Sequence, residues 1–140
     1  LGGRALWLVP TTFVLVMAIG GALGVAGIGV PFVEAGIALS VIVLGAIVAF
    51  GVKAPVAVAM AVVGLFAVFH GHAHGSEMPE NAAGLAYGIG FMLATALLHV
   101  AGIGIGFLIG WAGEKRGPVV VRSAGAVAAL AGIAILVGLI

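Results

Sequence analysis

Residues 32–52 read FVEAGIALSVIVLGAIVAFGV. Within them, Leu39–Phe50 carries one polar residue, Ser40. A membrane β-strand alternates apolar and polar side chains over about 10 positions, and this stretch does not. The remaining structure that satisfies its own backbone in lipid is the α-helix. The stretch therefore reads as a spanning helix that stops at Lys53, and a barrel is excluded.

The other spans follow from the gaps between charges, since a crossing needs about 20 mostly apolar residues at about 1.5 Å each. The expected helices cover about 6–28, 32–52, 55–72, 82–111 and 119–140. The fourth exceeds one straight crossing, so a tilt or a break near Gly102–Gly106 is expected. Gly27–Pro31, Gly51–Pro55 and Gly113–Pro118 are Gly/Pro turn clusters. Connections this short make sequential helices antiparallel. The expected architecture is an all-α, polytopic transmembrane helix bundle, one domain over residues 1–140.

Composition agrees. Of 140 residues, 64% are apolar and 6% charged, where a soluble domain carries about 25% charged. Too few polar groups remain to cover a soluble surface. Disordered and nucleic-acid-binding classes are excluded with it. There is no Cys, so thiolate metal sites and disulfides are unavailable. The chain opens Leu-Gly-Gly rather than with Met and reads as a processed or truncated piece; residues 1–5 lack the pattern of a signal peptide.

Five antiparallel crossings put Arg4, Lys53, Lys115, Arg116 and Arg122, every basic residue of the chain, on one side. Glu34, Glu77 and Glu80 fall on the other. Basic loops mark the cytoplasmic side, so the C-terminus and the His-rich segment are expected toward the outside. Trp7 and Trp111 fall at span ends, the usual aromatic-belt position. Glu34 opens the second helix, where the macrodipole favours a carboxylate. Glu80 reads as a solvated rim charge. Gly20-x3-Gly24, Gly84-x3-Gly88 and Gly102-x3-Gly106-x3-Gly110 read as close-packing grooves; they serve contacts within one chain or in a homo-oligomer equally well.

The chemistry concentrates in FHGHAHGSEMP, Phe69–Pro79. Three of the four histidines and a carboxylate fall within it. On a helix, His70, His74 and Glu77 share one face, and His72 points elsewhere unless Gly71 or Gly75 breaks the helix. Imidazole and carboxylate together suit first-row divalent ions such as Ni, Co, Zn, Cu or Fe. A solvated His-rich loop and a protonation switch are the alternatives. Thr95 and His99 form a second polar pair inside the fourth span. His99 is either a hydrogen-bonding residue between helices or a station on a permeation path. About 25 Å along its helix, it fits a second station more easily than a ligand shared with His70 and His74, which would need the His-rich segment to dip inward. An enzyme is not indicated: there is no Ser/His/Asp set, no Cys nucleophile and no His-Glu-x-x-His.

FHGHAHGSEMP resembles the Phe-His-Gly-x-Ala-His-Gly-x-Glu signature of the HupE/UreJ family. LGGRALWLVPTTF (1–13) and ATALLHVAGIGIG (94–106) are similar to that family as well, so the resemblance spans the chain. It implies a secondary transporter of Ni(II) or Co(II) associated with hydrogenase or urease, with the ion as cargo and no prosthetic group. It nominates His70, His74 and Glu77 as metal ligands, with His72 at the variable position. A further His-x5-Asp-His signature of the family has no counterpart here, which implies a first helix upstream of Leu1 and six helices in the complete protein. The expected function is a permease that captures the ion at the outward His/Glu cluster and passes it between helices by way of His99. The alternative is a non-transporting membrane accessory subunit that binds metal or senses pH for a partner.

Overall fold

The computed structural model describes residues 2–79, 81, 83–111, 113 and 116–139. The expected rim charge Glu80 and the basic Lys115 lie outside the described residues. Regular structure among the described residues is helical throughout: α1 (Ala5–Val25), α2 (Val33–Ala49), α3 (Val56–Ser76), α4 (Ala83–Trp111) and α5 (Gly117–Leu136). Four of these, α1, α3, α4 and α5, are long and apolar enough to cross a membrane. The all-α class and the polytopic helical architecture read from the sequence are those of the structure.

Helix ends are where the apolar runs mislead. The runs continue to 28, 52 and 140, yet α1, α2 and α5 stop earlier. Behind each stands a glycine in the left-handed region: Gly27 at φ 69°, Gly51 at φ 63° and Gly138 at φ 71°. After α1, the Gly27 and Ile28 amides turn back to the Gly24 and Leu23 carbonyls, each at 3.0 Å. This closes the last turn in a Schellman motif. The same pairing recurs at Gly51–Val52 and Gly138–Leu139. At its other end α2 follows Phe32, itself at φ 59°. With both ends so fixed, α2 has 17 residues, about 25 Å, less than the roughly 30 Å hydrocarbon core.

α3 errs in the opposite direction. It runs past the expected end at 72 to Ser76, through Gly71 and Gly75 without interruption. α4 is likewise unbroken across Gly102–Gly106, so the break entertained for that stretch does not occur.

The chain divides into two compact units, Leu1–Glu34 with Ala54–Ala101, and Ala35–Lys53 with Gly102–Ile140. In the first, α1 and α3 run parallel. Gly20 lies against the Val68 backbone, Gly24 against His72 and Gly75, Gly71 against Met17, and Gly75 against Gly21. A Cβ at Gly71 would collide with the Met17 carbonyl oxygen. Backbones this close are the expected solution where lipid gives no hydrophobic drive to helix pairing. The core is accordingly built of small residues, and Met17 is its largest fully buried side chain.

In the second unit α2 and α5 are antiparallel. Gly45 meets Ala129 and Gly125, Gly125 meets Ala49, and Gly132 meets Ile42. The Gly20/Gly24 groove is thus a packing surface. So is Gly84, whose added Cβ would strike the Pro79 carbonyl oxygen. Gly102, Gly106 and Gly110 differ: a Cβ there meets nothing within 4 Å among the described residues, so contacts among those residues do not explain them.

Candidate functional site

All four histidines lie in the first unit, on α3 and the first part of α4. His70, His72, His74 and His99 are each half-buried. Because α3 stays helical through Gly71, His70 and His74 lie one turn apart on one face, and His72 turns toward α1.

His70 and His99 share a local device. The His70 Nδ1 lies 3.3 Å from the Phe66 carbonyl oxygen, and the His99 Nδ1 lies 2.8 Å from the Thr95 carbonyl oxygen. A carbonyl only accepts, so Nδ1–H donates in both. The Nε2 lone pair is then the one available to a metal. Fixing the tautomer through the other ring nitrogen is how proteins orient ligating imidazoles.

The same two rings meet a common neighbour. Phe13 of α1 packs edge-on against His70, with centroids 5.8 Å apart and planes at 63°. It also lies 5.2 Å from His99, at 43°. The two imidazoles therefore come from different helices to one aromatic ring, closer together than depth along the helices suggested.

His74 stacks on Phe91 of α4 at a 4.0 Å centroid distance, and its Nδ1 is 3.2 Å from the Tyr87 hydroxyl. A phenol both donates and accepts, so either neutral tautomer of this imidazole satisfies the contact. His74 also borders a cavity of about 600 Å³ between α1, α3 and the start of α4, lined by Met17, Gly21, Met78, Tyr87 and Met92 among others.

His72 is engaged differently. Its Nε2–H donates to the Ile28 carbonyl at 2.9 Å, tying α3 to the turn after α1. Its Nδ1 is buried and has no hydrogen-bond partner among the described residues. Glu77 is exposed and sits beyond the last turn, at the C-cap of α3. Its backbone stays in the right-handed helical region, one residue past Ser76.

Among the described residues no three His or acidic side chains come together as a metal shell. The chain brings its candidate ligands together as pairs with aromatic neighbours: His70 and His99 at Phe13, His74 at Tyr87 and Phe91. Glu34 is exposed in the first turn of α2, as the dipole reading requires. Reading the sequence missed Phe13, Tyr87 and Phe91. Phe13 closes the opening stretch LGGRALWLVPTTF, so a signal for it was present.

A model of the family described as HupE / UreJ protein matches residues 1–135. Protein HupE of Rhizobium leguminosarum bv. viciae is 54% identical over 138 residues, covering 99% of this chain and 71% of that protein. No solved structure matches. With nearly the whole chain matched both ways, and the His-bearing helices inside the matched region, this chain belongs to the HupE / UreJ family.

Proposed function

We propose that the chain is a membrane permease for a divalent transition metal, Ni(II) or Co(II). His74 and Glu77 receive the ion at the end of α3, and His70 and His99 pass it on beside Phe13. The observation that carries this reading is the paired device at Phe13. Two imidazoles on different helices each have Nδ1–H held by a carbonyl and Nε2 left free, and both adjoin one aromatic ring. Ionisable side chains inside a spanning helix are rare and mark ion pathways. A transported ion also needs stations that hold it weakly enough for release. Successive sites of one or two imidazoles suit that better than a closed shell.

The polar ends support the proposed orientation unit by unit. Parallel α1 and α3 put Arg4 at the end away from the His-rich segment. Antiparallel α2 and α5 put Lys53 at the same end of their unit as Arg116 and Arg122. By the positive-inside rule those ends face the cytoplasm and the His-rich segment faces the periplasm.

The test is metal uptake into proteoliposomes containing the full-length protein alone. Time-dependent accumulation of ⁶³Ni or ⁵⁷Co that a His70→Ala/His74→Ala double variant loses, while still inserting, supports the permease. Binding without accumulation overturns it in favour of an accessory subunit that hands metal to a partner.

A further inference from the structure

The second unit carries a feature that metal transport does not use. Where α2 ends and α5 begins lies a cavity of about 500 Å³, bordered by Gly51, Gly106, Ile109, Gly110, Gly117 and Arg122. Arg122 lies within α5, past its first turn, in a helix apolar enough to cross a membrane. A guanidinium at such a place needs partners. It lies along Gly51: a Cβ there would sit 2.7 Å from Nη2 and 3.0 Å from Nε. Gly51 follows the last turn of α2, where the helix dipole presents partial negative charge. That accounts for one edge of the fork. Arg122 is exposed, and among the described residues no side-chain hydrogen bond uses its five N–H donors.

The surroundings are basic and interfacial. Lys53 and Arg116 stand at this end of the unit. Trp111, at the end of α4, is 92% exposed, as a residue at the headgroup level would be. Below the guanidinium the walls are oily and the floor is open. Gly106 and Gly110 project no side chain, and among the described residues nothing lies within 4 Å of where a Cβ would stand. A planar fork at the polar rim above an apolar, glycine-floored slot matches a phosphodiester joined to an acyl chain.

We propose that Arg122 and the Gly106/Gly110 slot bind one anionic phospholipid of the phosphatidylglycerol type, phosphate on the guanidinium and acyl chain in the slot. The test is native mass spectrometry of the full chain released from nanodiscs containing equal phosphatidylglycerol and phosphatidylcholine. The protein should retain phosphatidylglycerol preferentially, and Arg122→Gln should lower that retention about fivefold. Because Arg122 also touches Gly51, a second variant is needed that leaves the charge in place. Gly106→Leu fills the slot and should lower retention comparably, with unchanged helical circular dichroism. Equal retention of the two lipids, undiminished retention in Gly106→Leu, or full displacement of the lipid by millimolar inorganic phosphate would each overturn the proposal.

Discussion

Phe13 and His99 pack ring to ring, from α1 to α4, with centroids 5.2 Å apart. The contact joins helices far apart in sequence, and its other neighbour is His70 at 5.8 Å. One apolar side chain thereby sets the separation of two imidazoles whose Nε2 atoms are free. The proposed ion path depends on that spacing more than on any closed coordination shell.

Truncating Phe13 should show this. Phe13→Ala removes the ring that positions both imidazoles, and misplacement of reacting groups by about 1 Å costs on the order of a hundredfold in comparable settings. Metal uptake is expected to fall at least about tenfold, while Phe13→Leu, which keeps much of the volume, retains more. Initial uptake rates in proteoliposomes check it, and unchanged uptake in Phe13→Ala contradicts it.

Glycines of α3 and α4 divide by environment. Gly71→Ala forces a Cβ onto the Met17 carbonyl oxygen, and overpacking costs about 1–3 kcal/mol or more. Gly104→Ala meets nothing within 4 Å and gains helix propensity of up to about 1 kcal/mol. Thermal unfolding in detergent should show a lowered midpoint for the first and an unchanged or raised midpoint for the second. Equal midpoints would dissolve the distinction.

His72 should behave as a tie rather than a ligand. Loss of its bond to the Ile28 carbonyl is worth about 1 kcal/mol. His72→Phe is expected to speed amide hydrogen exchange in the turn at residues 26–30 and to leave nickel affinity within about twofold. A tenfold drop in affinity, about 1.4 kcal/mol, would return His72 to the ligand set.

Acid should weaken metal binding, because an imidazole ligates only through a lone pair that protonation removes. Nickel affinity is expected to fall as the pH is lowered from 8 to 5. Equilibrium dialysis across that range checks the trend, and a flat response from pH 5 to 8 contradicts it.

The class of fold was plain in the sequence because lipid leaves few choices: Leu39–Phe50 could be a helix or nothing stable. The helix ends were less plain. Hydropathy is blind to the left-handed turn at Gly27 or Gly51, where φ ends the helix inside an apolar run. It is equally blind at Gly71 and Gly75, where glycine continues α3 because α1 packs on it. For the site, spacing placed His70 and His74 on one face. It carries as far as Glu77 at the limit, one residue past the end of α3 at Ser76. The His70–Phe13–His99 grouping is tertiary, and no spacing within a single helix encodes it.

The central claim, that imidazoles of this chain ligate the transported ion, is tested most directly by nickel K-edge X-ray absorption on the metal-loaded, full-length protein. The account expects the outer-shell scattering of imidazole rings, reduced when His70 and His99 are together replaced by Ala. A spectrum with oxygen ligands alone, or one that the double replacement leaves unchanged, would contradict it.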